Sequence, residues 1–95
     1  MATYILLTNL GIEACGSNEQ MKSTLHLVEK RLKEECRGVT FVEGYGCMGT
    51  YDLVYILESE EPQTIEKVVP ILRELGHSTI QTMLATPFEQ FIKAL

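Results

Sequence analysis

Four side chains in this sequence, Glu43, Tyr45, Asp52 and His77, have types and positions suited to acid–base work or to holding a small ligand. Asp52 stands one residue into an apolar strand-like run, where aspartate is uncommon. If Gly49-Thr50 forms a two-residue type II′ turn, Met48 faces Tyr51, Gly46 faces Leu53, Gly44 faces Tyr55 and Val42 faces Leu57. Asp52 then opposes Cys47 and shares a sheet face with Glu43 and Tyr45. Carboxylates and a phenol converging on an apolar cavity can bind or protonate a small molecule. The plainer reading is that Asp52 bonds backbone beside the turn and Glu43 meets solvent at an edge. His77 follows Gly76, a helix-stopping residue, so its simplest role is a surface group favoured by the helix C-terminus. In a site it would add a group able to titrate near neutral pH. His26 falls on the polar side of a helical stripe and reads as solvated.

Other chemistries find less support. Cys15, Cys36, Cys47, His26 and His77 show neither C-x-x-C nor H-x-x-x-H spacing, so no metal site is expected. A nucleophilic Cys47 would need a nearby base, and a small buried cysteine is the better reading. Gly44, Gly46 and Gly49 match G-x-G-x-x-G, but a strand follows where the dinucleotide fingerprint requires a helix. Those glycines read as turn and packing residues, with backbone N–H groups able to grip an anion as a remote alternative. Tyr4, Tyr45, Tyr51 and Tyr55 read as core or interface groups. No cofactor is implied.

The elements that must position these groups are legible in order. Ala2–Leu10 reads as a first strand, apolar on both faces, and Gly11–Gly16 as a loop. Ser17 and Gln20 fit a capping box, followed by Met21, Leu25, Val28, Leu32 and Cys36 at helical spacing up to Gly38. The glycine-bearing hairpin of residues 38–57 comes next. Ser59-Glu60-Glu61-Pro62 opens a second helix with Ile65, Val68, Val69, Leu72 and Leu75 inward, and Pro70 predicts a kink or a break in it. Ser78–Ala85 reads as a last strand. Thr86-Pro87-Phe88-Glu89 then reads as a capping box for a short helix bearing Phe88, Phe91, Ile92 and Leu95. The order predicts one α+β domain over residues 1–95, a ferredoxin-like β-α-β-β-α-β sandwich with a four-stranded antiparallel sheet plus a short C-terminal helix.

Composition sets limits on partners. The 95 residues carry a net charge of −5 and a pI near 4.9, which argues against nucleic acid and anionic membranes. No apolar run nears the ~20 residues of a membrane span, and the N-terminus has no export signal. An odd number of scattered cysteines predicts a reduced, cytoplasmic protein. Two helices cover one face of such a sheet, yet Tyr4–Leu7 and Leu53–Leu57 are apolar on both faces. The uncovered face predicts a homodimer, or a multiple of dimers, formed with a second copy. The alternative cover is the terminal helix folded back.

Gly49-Thr50-Tyr51-Asp52 before an apolar strand, the opening Met-Ala-Thr-Tyr-Ile-Leu-Leu-Thr and the segment Leu75–Phe91 resemble the GYD-domain family of small bacterial and archaeal proteins. The resemblance implies a ferredoxin-like fold of the dimeric α/β-barrel type and assigns no reaction. The hairpin also resembles, more distantly, the effector-binding domain of leucine-responsive and asparagine regulators. The function expected is a homo-oligomeric small-ligand-binding or assembly module. The alternative is a cofactor-independent dimeric α/β-barrel enzyme, monooxygenase- or isomerase-like, in which Tyr45, Asp52 and His77 serve as acid–base groups on a small organic molecule.

Overall fold

Strict alternation along the first strand sets the two layers. In β1 (Ala2–Leu10), Tyr4, Leu6, Thr8 and Leu10 are buried, while Ile5, Leu7 and Asn9 point the other way and are half-buried. The same division runs through β3 (Leu53–Ser59), where Leu53, Tyr55 and Leu57 are buried and Val54 and Ile56 are not. The computed structural model describes Met1–Leu95. Its remaining elements are α1 (Ile12–Cys15), α2 (Asn18–Glu35), β2 (Val39–Gly46), α3 (Pro62–Glu74), β4 (His77–Ala85) and α4 (Phe88–Ala94). The strands form one antiparallel sheet in the order β2-β3-β1-β4. This is the expected ferredoxin-like arrangement.

The helices lie over the face that carries Leu6 and Leu57, and Val28, Val68 and Leu72 complete a fully buried centre. Ser17 caps α2 as its sequence predicts, accepting a hydrogen bond from the Gln20 amide at 3.1 Å. Gly38 ends that helix region with φ +90°, a conformation other residues enter at a cost. Part of the expected loop after β1 is the single turn α1, whose Ala14 carbonyl accepts from the buried Thr24 hydroxyl at 3.1 Å. Helix α3 runs unbroken from Pro62 to Glu74, with Pro70 on its exposed side. The break that the sequence suggests does not occur. Arg31 of α2 pairs with Glu35 and with Glu74 of α3, both at 2.7 Å, at the solvent edge of the helix layer. Helix α4 starts one residue later than its sequence suggests. Pro87 occupies the cap position, and no side chain caps the helix.

The hairpin departs from its expected register in two places. Gly46 does face Leu53 and Gly44 does face Tyr55, but Leu57 faces Phe41 in place of Val42. A bulge between Phe41 and Glu43 admits one extra residue and turns Phe41 toward the helices. Its ring meets Tyr55 edge-on, with centroids 6.0 Å apart. The ring also takes the space a side chain on residue 44 would need, since a Cβ on Gly44 would fall 2.9 Å from Phe41 Cζ. The second departure is the turn. Residues 47–52 form a wider loop than a two-residue turn, closed by the Cys47 amide donating to the Asp52 carbonyl at 2.8 Å, and Asp52 is tied to β1 as well. The Asp52 amide donates to the Thr8 carbonyl at 2.9 Å and to Asn9 Oδ1 at 3.0 Å, and its Oδ2 accepts from the Leu10 amide at 2.9 Å.

Gly76 joins α3 to β4 at φ +84°, and a Cβ there would lie 2.5 Å from Ala14 Cβ. Gly76→Ala should therefore lower the unfolding free energy by about 2 kcal/mol in urea titration. Gly46 meets nothing within 4 Å at its Cβ position, so Gly46→Ala should change stability by no more than about 0.5 kcal/mol.

Candidate functional site

The sheet has a bare face. Ile5 and Leu7 of β1, Val54 and Ile56 of β3 and Met83 of β4 share it, with Ile5 paired to both Ile56 and Met83. No helix of the same chain covers it. Helix α4 makes no substantial contact with any other element, and Phe88, Phe91, Ile92 and Leu95 are all more than half exposed. The molecule is accordingly thin, with extents of 46 × 30 × 17 Å.

The four residues singled out by sequence separate into three places. Glu43 and Tyr45 lie on the bare face of the edge strand β2, opposite Ile56 and Val54, and Tyr45 is 53% exposed. Asp52 stands at the far end of β3, where both its backbone and its carboxylate are used to bond β1. Beside it, Tyr51 Oη donates to Gln81 Oε1 on β4 at 2.6 Å, so this loop spans the end of the sheet. His77 is on the opposite face, 3% exposed under the helix layer. Within one chain it does not meet Glu43, Tyr45 or Asp52. Its surface reading is corrected by that burial.

His77 instead forms a buried pair with Tyr55. Tyr55 Oη and His77 Nε2 are 2.8 Å apart, and the ring centroids are 5.8 Å apart. Burial makes the phenolate costly and raises the Tyr55 pKa far beyond the ordinary range, so Tyr55 keeps its proton, and in the Nδ1–H tautomer of His77 it donates that proton to Nε2. The proton of the neutral imidazole then resides on Nδ1, which is buried without a hydrogen-bond partner. Burial lowers the His77 pKa below its ordinary 6.5, and the nearby Leu72 and Leu75 carbonyls oppose that shift only in part.

Two adjoining clefts lie between α2 and the β2 edge. The larger, of about 550 Å³, is lined by His26, Glu29, Lys30, Leu32, Lys33, Val39 and Phe41. The smaller, of about 230 Å³, opens where Gly44 and Gly46 leave the helix side of β2 without side chains, against Leu25, Val28, Leu53 and Tyr55. Sequence reasoning places His26 in solvent and misses this groove. The signal for it lies in the i, i+4, i+7 spacing of His26, Lys30 and Lys33, which puts all three along one side of the helix. No cluster of three or more His, Cys, Asp or Glu side chains is arranged to hold a metal ion, and no helix is long and apolar enough to cross a membrane. Cys47, expected to be buried, is exposed, whereas Cys36 is buried. Burial raises the Cys36 thiol pKa, which leaves it a poor nucleophile.

Because folding lowers the His77 pKa, the unfolded chain binds the extra proton first as pH falls. Stability should be level above about pH 7 and decline as pH drops through about 6.5 toward the lowered folded value. His77→Gln should remove that decline in denaturation midpoints measured down to about pH 5, above most carboxylate titration. A slope identical to wild type would overturn the assignment. Tyr55→Phe should cost about 1–3 kcal/mol by leaving Nε2 unpaired in the core.

Comparison with known proteins fits this architecture. A model of the family described as the GYD domain matches residues 4–95. A Thermus thermophilus protein named "Glutamine synthetase and cystathionine beta-lyase binding protein" is 26% identical over 95 residues, spanning 100% of this chain and 99% of that one. A crystal structure from the same organism superposes with a TM-score of 0.60 at 21% identity, covering 92% of this chain and 95% of the other. An Arabidopsis thaliana protein superposes with a TM-score of 0.63 at 10% identity, again covering 92% and 95%. The two structural matches share the fold, and the family match spans nearly the whole sequence, so this chain belongs to the GYD domain family.

Proposed function

We propose that this protein is a non-catalytic binding module that works as a homodimer, or as a multiple of dimers, joined through the bare sheet faces. The observation that carries the reading is the apolar face of Ile5, Leu7, Val54, Ile56 and Met83, left open in a chain whose own terminal helix stays away from it. Contiguous apolar surface of this kind is characteristic of an interface, and a two-fold copy supplies a matching face without any other partner. Glu43 and Tyr45 lie on that same side, and Asp52 lies at its far end near Tyr51 and Gln81. In this reading they are the polar groups offered to a small ligand held at the margin of the joined sheets. His77 serves the core. The enzyme alternative would need acid–base groups meeting around an enclosed cavity, and within one chain Glu43, Tyr45 and Asp52 do not converge with His77.

A second reading rests on the Thermus thermophilus relative, whose name describes a protein that binds two enzymes. By that analogy the assembled module would dock on an enzyme, using surface that remains free after the sheets have joined.

Native mass spectrometry tests the main reading. The expected species is a dimer or a multiple of dimers, and retained extra mass would identify the class of ligand. Ile56→Lys places a charge in the centre of the bare face without touching the helix-covered core. It should weaken the dimer by at least about 100-fold, with secondary structure unchanged by circular dichroism. A monomeric wild-type protein would refute the reading.

A further inference from the structure

We infer that each copy carries a ligand site on its helix side, where the adjoining clefts between α2 and β2 take a small monocarboxylate whose body is one aromatic ring or a branched apolar group of that size. The site is separate from the margin of the joined sheets and does not depend on the dimer.

The smaller cleft exists because a strand side chain is missing and nothing replaces it. Gly44 and Gly46 pair with Tyr55 and Leu53 and so stand on the helix side of β2. The Phe41 ring takes the space at Gly44, but no atom lies within 4 Å of the place where a Cβ on Gly46 would be. Leu25 and Val28 of α2 roof this space, and Leu53 and Tyr55 floor it. The Tyr55 hydroxyl is already bonded to His77, so Tyr55 offers the cleft its ring. The volume is about 230 Å³, against about 150 Å³ for an apolar cavity that holds benzene, so one substituted ring has room. Water in such a space finds few hydrogen-bond partners, which favours an apolar occupant.

Charge at the mouth sets the class of the ligand. Glu29 borders both clefts, and His26, Lys30 and Lys33 line the larger one. None of the four is ion-paired within the chain. Two lysines against one glutamate, with His26 neutral, leave a single net positive charge. That balance suits a monoanion. It falls short of a phosphate dianion, and it opposes an ammonium group, which would meet both lysines. Glu43 and Tyr45 also border the smaller cleft, but they belong to the alternate residues of β2 that lie on the bare face, so the Glu43 charge is not added to the mouth. A ring seated over Tyr55 leaves its carboxylate in the larger, open cleft, where desolvation costs least and the flexible lysines reach it.

Titration of isotope-labelled protein with 3-phenylpropionate, followed by amide NMR, reads the site residue by residue. Saturable shifts are expected at Leu25, Glu29, Gly44 and Gly46, with a Kd of about 0.1–5 mM, ordinary for so small a ligand. The neutral 3-phenylpropionamide should bind about 3- to 10-fold more weakly, and phenethylamine more weakly still. Lys33→Gln should weaken the acid toward the level of the amide. Gly46→Leu fills the cleft without a clash and should abolish the shifts with its circular dichroism spectrum unchanged. The site is overturned by the absence of saturable shifts, by shifts confined to Ile5, Val54 or Met83, or by equal binding to Gly46→Leu. An amine that binds as tightly as the acid overturns the ligand class. Any of these results in a protein that is a dimer by native mass spectrometry leaves the sheet-to-sheet reading standing.

Discussion

The helix layer of this molecule covers one side of a sheet whose two sides are both apolar. On the covered side, Leu6 and Leu57 meet Val28, Val68 and Leu72, and the contact excludes water completely. On the other side Ile5, Leu7, Val54 and Ile56 have neighbours within the sheet but no layer above them. The cost of hydrating that side falls on every isolated copy, and it is relieved only when another surface is laid against it. The thin shape, the free terminal helix and the placement of Tyr45 on the open side all bear on how that relief is achieved. In the proposed reading, the interface and the ligand margin are consequences of the same missing layer.

The edge strand β2 is shaped by two constraints that act from a distance. One is the bulge that turns Phe41 inward, and the other is the tie between Asp52 and the end of β1. Beside them the hairpin carries an open loop in place of a tight turn, and the helix side of its strand is lined partly by bare backbone. The groove beside α2 follows from that backbone. Leu25 and Val28 approach a strand that offers glycine at two alternate positions, and the space they cannot fill is the smaller cleft.

The sequence is most informative where structure depends on neighbours in the chain. Ser17 capping its helix, Gly38 and Gly76 in left-handed conformations, and the helical stripes through Val28 and Val68 all follow from local chemistry and periodicity. It is less informative where distant segments decide. The bulge at Val42 depends on Phe41 meeting Tyr55 across the sheet, and nothing local distinguishes Phe41 inward from Val42 inward. Asp52 is held by Thr8, Asn9 and Leu10, which no turn propensity could reveal. His77 follows a helix stop and so reads as a surface residue, but a register shift at the end of β1 pairs it with Leu10 and brings it against Tyr55. The plain reading of Asp52, as a residue bonding backbone beside the turn, matches its observed contacts.

Phe41 and Gly44 share one volume: the phenyl ring occupies the place where a side chain on residue 44 would begin. Neither position is free to drift by itself. A larger residue 44 becomes tolerable only after residue 41 has shrunk, and a smaller residue 41 leaves a void that a methyl at 44 could partly refill. Substitutions at the two sites should therefore be strongly non-additive, with the double change less harmful than the sum of the single ones. Among descendants of such a sequence, these two columns would be expected to change together, and the path between the two packings would pass through a less stable intermediate.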